Sequence, residues 1–304
     1  MVFSSLRALG TTLDRDKAFR FTEEVLLTTK GRETPMEKID KIGFIGGGNM
    51  AEAIIKGLLG GAFPVARLLV AEPSDERRRL LEDRYGVRVI SDNRELVRDC
   101  DLLVLAVKPQ VRETALAGFG ELFSDDKLLI SILAGVGTPE LERLLGGPRR
   151  IIRAMPNTPA LVGAGATALC SGRHARVADL RTAQHLFETV GIVQIVDEGQ
   201  MDAVTGLSGS GPAYVFTVIE ALADGGVLQG LPRHTALMLA TQTLFGAARM
   251  VKEGGEHPAV LRDKVCSPGG TTIAGVQALE EGGLRATLMD AVARATERSR
   301  ELGG

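Results

Sequence analysis

The chain has 304 residues, a length suited to about two domains. Hydrophobic residues make up 44% and charged residues 24%, as in a soluble globular protein. Lys plus Arg (36) against Asp plus Glu (38) leave a formal charge of −2, which speaks against a nucleic-acid binder with a strongly basic surface. Trp is absent and aromatics are only 4%, which argues against a site of stacked rings. The three cysteines, Cys100, Cys170 and Cys266, form no CxxC pair and no metal framework, so no metal site is expected and a reducing, cytoplasmic compartment is.

Residues 1–35 mix basic and acidic side chains and lack the apolar core of a secretory signal. They are expected to be a disordered extension outside the fold. Lys41 to Ile45 then reads as a short strand, Met50 to Leu59 as a helix and Leu68 to Ala71 as a second strand. Asp75 to Arg84 is a charged amphipathic helix. Further strands are predicted at Val87 to Ile90, Leu102 to Val107, Leu128 to Ile132 and Arg150 to Ala154. The apolar run LLVLAV fits a strand buried on both faces. The longest uncharged stretch, Ala154 to Gly172, contains Pro156 and Pro159 and predicts buried strand and loop, not a membrane span. Strands alternating with helices imply a parallel, doubly wound sheet over residues 36–198. Over 199–304 the pattern becomes wholly helical, with helices at Ala213 to Leu228, Pro232 to Lys252, Pro258 to Cys266, Thr272 to Glu281 and Leu284 to Leu302. Tyr214, Phe216, Val218, Ile219, Leu222, Leu237, Leu239 and Leu244 put apolar surface on more than one helix face, and so small a helical core calls for a second copy as cover. The fold class is thus an α/β Rossmann-type domain followed by an all-α dimerisation domain.

The first chemical signal follows Ile45, where Gly46-Gly47-Gly48-Asn49-Met50-Ala51 fits G-x-G-x-x-A between a strand and a helix. The first glycine permits a tight turn, the next lets backbone approach a pyrophosphate, and phosphate oxygens then meet unpaired N–H groups at the helix start. Glu72 ends the second strand, 21 residues after Ala51, where the fingerprint places an acid on the adenosine ribose. A carboxylate there repels a 2′-phosphate and favours NADH. Ser74, Arg77 and Arg78 follow and offer the opposite, a site for NADPH, or simply a solvated helix face. Lys108, in Ala106-Val107-Lys108-Pro109, stands at the carboxyl end of the fourth strand, where it serves either a ligand or ordinary solvation. Arg153 to Pro159 (RAMPNTP) taken alone reads as a rigid turn. In Lys264 to Ile273 (KVCSPGGTTI), Gly269 and Gly270 stand beside the hydroxyls of Ser267, Thr271 and Thr272 just where a helix begins. Glycines weaken a first turn, whereas bare N–H groups there enclose a carboxylate. A plain Ser or Thr cap accounts for one hydroxyl and for neither glycine.

From Lys41 onward the chain resembles pyrroline-5-carboxylate reductase. The blocks that carry the resemblance are IGFIGGGNMAEAI, AVKPQ, IIRAMPNTPALVGAGATAL, GLSGSGPAYVF with EALADGG, and GEHPAVLRDKVCSPGGTTI, in the family's order and spacing. The resemblance implies reduction of the C=N bond of 1-pyrroline-5-carboxylate to L-proline by NADPH or NADH. It also implies a dimer of interleaved helical domains, often assembled into a decamer. It places Ala106, Val107, Lys108, Pro109 and Ala134 along the cofactor and Met155 to Asn157 near the nicotinamide. It sets Ser267, Gly269, Gly270, Thr271 and Thr272 around the substrate, with the Thr272 hydroxyl toward the ring nitrogen. Glu72 departs from relatives suited to a 2′-phosphate.

Two other functions fit parts of the chain. A 3-hydroxyacid dehydrogenase also pairs these domain types, but needs a helical Lys followed one turn later by Asn or Asp. Here Lys252 is followed by Glu256 and Lys264 by Pro268. A cofactor-binding regulator without catalysis would not need the Ser267 to Thr272 loop.

Overall fold

A computed structural model describes residues 39–303. The extension over 1–35 and its expected disorder lie outside the described residues. The strands are β1 (Ile42–Ile45), β2 (Leu68–Ala71), β3 (Arg88–Ile90), β4 (Leu102–Leu105), β5 (Leu128–Ser131), β6 (Arg150–Met155), β7 (Gly165–Ser171) and β8 (Gly191–Ile195). They form one sheet in the order β3-β2-β1-β4-β5-β6-β7-β8. Helices α1 (Asn49–Gly60), α2 (Asp75–Tyr85), α3 (Asn93–Asp99), α4 (Arg112–Leu116), α5 (Thr138–Leu144) and α6 (Val177–Glu188) accompany the strands.

The alternation of side chains along each strand makes two separate cores. Ile42, Phe44, Leu68, Val70, Leu102, Val104, Ile130 and Ile152 turn to one face, under Ile54 and Ile55 of α1 and Leu186 of α6. Ile45, Leu69, Leu103, Leu105, Leu129 and Ile151 turn to the other, under Leu96 of α3, Leu116 of α4 and Leu141 of α5. Both faces are covered, which is why these segments read as continuous apolar runs.

The expectation of a purely parallel sheet holds through β6 and then needs correction. β7 pairs antiparallel with β6, and β8 runs parallel to β7. The chain reverses after β6 through the 3-10 turn Thr158–Val162, whose C-cap Gly163 has φ 72. So short a link reverses a strand but does not provide the long crossover that parallel pairing needs. β7 is the strand within the uncharged stretch; β8, with the exposed Ile192 and Ile195 at the sheet edge, was not anticipated.

After β8 come α7 (Met201–Val204), a single π turn (Thr205–Gly209), α8 (Gly211–Leu228), α9 (Arg233–Gly254), α10 (Pro258–Val265), α11 (Thr271–Glu281) and α12 (Leu284–Gly303). α11 begins one residue before the expected Thr272, and α8 two residues before the expected Ala213, because Pro212 fits a first helical turn. α8 and α9 pack on each other through Ala223, Ala236 and Ala240, while Phe216, Leu222, Leu237, Met238, Leu239 and Phe245 stay exposed. No residue of α10 or α11 is buried. α12 returns to the sheet. Its Ser299 hydroxyl donates to Asp202 Oδ1 at 2.7 Å, and Asp202 lies 3.7 Å from the buried Arg153 guanidinium on β6. Among the described residues no helix is long and apolar enough to cross a membrane.

Candidate active site

Parallel pairing sets Ile45 opposite Ala71 and Leu105, and Leu105 opposite Ser131. The carboxyl ends of β2, β1, β4 and β5 therefore share one edge. The strand order reverses between β1 and β4, the place where such sheets bind ligands. The glycine turn lies at this point. Gly46 has φ 95, and a Cβ there would meet the Ala106 carbonyl oxygen at 2.8 Å. Gly47 is buried, and a Cβ would strike Leu81 Cδ1 at 2.7 Å. Gly48 is exposed and has open space where a Cβ would stand. It is also the N-cap of α1, whose first-turn N–H groups have no side-chain cap among the described residues. An uncapped helix start with a bare, open glycine suits a pyrophosphate, so the residues present fit a dinucleotide. Asn49 is exposed and Met50 half-buried beside it, while Ile45 is buried beneath.

Glu72 closes this turn from the β2 side. One carboxylate oxygen accepts the Gly47 N–H at 2.8 Å and the other the Ser74 N–H at 2.9 Å. The half-exposed carboxylate keeps further lone pairs for a ribose. The two arginines are engaged by the chain itself. Arg77 Nε donates to the Gly47 carbonyl and Arg77 Nη2 to Glu52 on α1, each at 2.5 Å. Arg78 Nη1 donates to the carbonyls of Glu72 and Pro73 at 2.9 Å, and Nη2 pairs with Asp75. Glu52 is a feature the sequence did not reveal. It is buried, and besides Arg77 it accepts from Tyr85 Oη at 2.7 Å and Arg84 Nη1 at 3.0 Å. Burial pushes its carboxyl upward, but Tyr85, Arg77 and Arg84 together hold it below the ordinary glutamate range.

Ala106 and Val107 are half-buried at the end of β4, Lys108 is exposed, and Pro109 opens a 3-10 turn. Ala134 is half-buried just past β5; the next residue, Gly135, packs on Ser299 and Leu302 of α12. Asn157 is buried beyond β6, with both side-chain functions in use: Nδ2 donates to the Ser208 carbonyl and Oδ1 accepts from Ala166 N–H.

The Ser267 to Thr272 loop sits between α10 and α11. The Gly270 N–H donates to the Ser267 carbonyl at 3.0 Å and Gly269 has φ 65, so Ser267 to Gly270 is a turn with proline second and a left-handed glycine third. That conformation accounts for Gly269. A Cβ on Gly270 would collide with the Ser267 hydroxyl, so the two are a fitted pair. Gly270 is the N-cap of α11, and no side chain caps the first turn, in contrast to the expected alternative of a Ser or Thr cap. Ser267, Gly269 and Thr271 are exposed; Gly270 and Thr272 are half-buried. Three histidines are engaged locally: His174 pairs with Glu142, His185 meets the Arg181 carbonyl, and His257 caps α10. Lys264 pairs with Glu256 at 2.6 Å on the surface.

Residues 198–302 match the family described as pyrroline-5-carboxylate reductase dimerisation. Residues 41–135 match the family described as NADP oxidoreductase, coenzyme F420-dependent. Pyrroline-5-carboxylate reductase of Arabidopsis thaliana is 50% identical over 263 residues, covering 86% of this chain and 95% of the plant protein. The chain belongs to the pyrroline-5-carboxylate reductase family. A solved structure of the reductase from Coxiella burnetii has a TM-score of 0.82 at 39% identity and covers 87% of this chain and 99% of that one. The Plasmodium falciparum reductase, solved with NADP bound, has a TM-score of 0.80 at 37% identity and covers 88% of this chain and all of that one. The chain is thus an NAD(P)H-dependent pyrroline-5-carboxylate reductase, which makes proline by reducing the C=N bond of its substrate, and its helical C-terminal region is a dimerisation domain.

Proposed function

We propose how this chain divides that reaction between its residues. Ile45 to Met50, Glu72, Ala106 to Pro109 and Ala134 hold the cofactor along the carboxyl edge of the sheet, and Asn157 lies by its nicotinamide end without bonding it through the side chain. The loop Ser267 to Thr272 holds the substrate. The division into a dinucleotide domain over 36–198 and a helical substrate domain over 199–304 belongs to the same reading.

The observation that carries it is the start of α11. A turn built from Pro268, Gly269 and Gly270 delivers a helix N-terminus with no side-chain cap. Its free N–H groups and the hydroxyls of Ser267 and Thr271 suit a carboxylate. The Thr272 hydroxyl is assigned to the ring nitrogen. When bound, the nicotinamide supplies the hydride. The substrate, as its protonated iminium, accepts the pair at the ring carbon while the C=N π electrons pass to nitrogen, which already carries its proton. No strong protein acid is then required. The residues act mainly by orientation.

Exposed Phe216, Leu222, Leu237 and Leu239 support the homodimer, and assembly of dimers into a decamer is the larger form we expect from the family resemblance. Three free cysteines, two of them buried, support a cytoplasmic location. Following absorbance of the reduced nicotinamide with pyrroline-5-carboxylate, with and without a 3-hydroxy acid and its oxidised cofactor as the alternative pair, tests the assignment. Turnover of the hydroxy acid, or of neither, would overturn it.

A further inference from the structure

Helix α8 begins with Gly211 and Pro212. Pro212 has no N–H, so the carbonyl four residues earlier, that of Ser208, lacks its helical donor. Asn157 supplies it: Nδ2 reaches the Ser208 oxygen at 3.0 Å from the end of β6. The same amide accepts the Ala166 N–H at 2.9 Å at the start of β7, and the residue is buried.

Ser208 lies in the π turn, which the Ser210 N–H closes on the Thr205 carbonyl at 2.9 Å. Such turns are rare and often mark functional sites. This one is held against α12, since a Cβ on Gly206 would collide with Thr296 and Val292, and Gly209 lies beside the Met155 side chain. The Tyr214 hydroxyl reaches the carbonyls of Gly206 and Ala291, at 3.2 and 3.3 Å. The π turn is therefore the joint between the sheet and the helices.

We infer that Asn157 is a positioning residue for hydride transfer, which through the Ser208 carbonyl fixes the helical domain against the nicotinamide end of β6. Its side chain is not a cofactor ligand. The inference rests on the proposed division of cofactor and substrate between the two regions. Reacting atoms must come within about 3–3.5 Å, and displacement by about 1 Å costs on the order of a hundredfold in rate.

Asn157→Asp isolates the joint. It keeps an acceptor for the Ala166 N–H and puts a carboxylate oxygen in place of the donor to Ser208. Dissociation constants for NADH and NADPH, from titration of cofactor fluorescence, should stay within about twofold of wild type. The kcat should fall by about tenfold or more, and the primary deuterium isotope effect on kcat, with cofactor deuterated at the transferred position, should rise. Gly206→Ala, which presses the same turn against the backbone of α12, should shift the same two quantities. Cofactor affinity weakened in proportion to kcat/KM would overturn the inference. So would an unchanged kcat, an unchanged isotope effect, or a loss explained wholly by fewer folded dimers in thermal melts and sedimentation. Wild-type turnover of pyrroline-5-carboxylate, run in parallel, checks the proposed function itself. Without it both readings fall; with it, the variants judge the joint alone.

Discussion

Glu52 and Glu72 are two carboxylates on either side of one glycine turn, with different work. Glu52 is buried and balances Arg77 and Arg84, so its charge is part of the fold. Its carboxyl is held below the usual range, so the ionised form is the native one. Its stabilisation is complete above the ordinary glutamate pKa and is lost as pH falls through the lowered value. Glu52→Gln should cost about 2 kcal/mol at neutral pH, from loss of hydrogen bonds to charged partners, and the gap to wild type should shrink toward low pH. Urea unfolding at neutral pH and near pH 3 checks both. Glu72 holds only backbone N–H groups and stays half-exposed. On the proposed reading it faces the adenosine ribose, where its charge opposes a 2′-phosphate. Glu72→Ser should raise kcat/KM for NADPH relative to NADH by about tenfold or more, read from paired steady-state assays. A wild type already faster with NADPH would show that the acid does not set the preference.

At the scale of elements, the glycine turn and the start of α1 separate fold from binding. Gly46 has φ 95 and lies against the Ala106 carbonyl, so Gly46→Ala should destabilise the protein as well as abolish cofactor binding. Gly48 has φ −69 and an open Cβ direction. Gly48→Ala should leave the thermal midpoint within a few degrees, because the change at an N-cap is small. It should weaken NAD(P)H by about tenfold, since the new methyl occupies space meant for the pyrophosphate. Calorimetry of unfolding and cofactor titration read the two effects separately. The same elements explain what the sequence disclosed. β1, β2, β4 and β5 were legible because strands covered on both faces are nearly all apolar, and β6 kept an apolar centre, Ile151 and Ile152, between two arginines. β8 was not, because an edge strand carries Gln194 among exposed isoleucines and needs no such run. The reversal at β7 was hidden because it depends on where a 3-10 turn leads the chain, not on the composition of the strand. The π turn and the Glu52 cluster were hidden for a related reason: their partners are distant in sequence, as with Asn157 and Ser208 or Glu52 and Tyr85.

Across the whole molecule, the sheet region has two closed cores, while the helices after it leave large side chains in solvent. Leu228, Met289, Leu207 and Phe216 are each more than half exposed. Surface of that kind marks an interaction site, and the dimerisation family covers this part of the chain. Sedimentation at micromolar concentration should give a dimer or a larger assembly of dimers; a stable, active monomer would contradict this. The Ser267 to Thr272 loop lies between two helices with no buried residue, so on the proposed reading cover for the substrate has to come with assembly.

On the proposed reading this loop, and not the sheet edge, binds the substrate. The direct measurement is the effect of Thr272→Ala on kcat/KM for pyrroline-5-carboxylate, taken together with the dissociation constant for NAD(P)H. Loss of a hydrogen bond to a charged group costs about 1.5–3 kcal/mol, roughly ten- to a hundredfold in rate. A fall of about that size in kcat/KM is expected, with cofactor affinity nearly unchanged. Full activity in the variant, or a defect confined to cofactor affinity, would contradict it and place the substrate elsewhere.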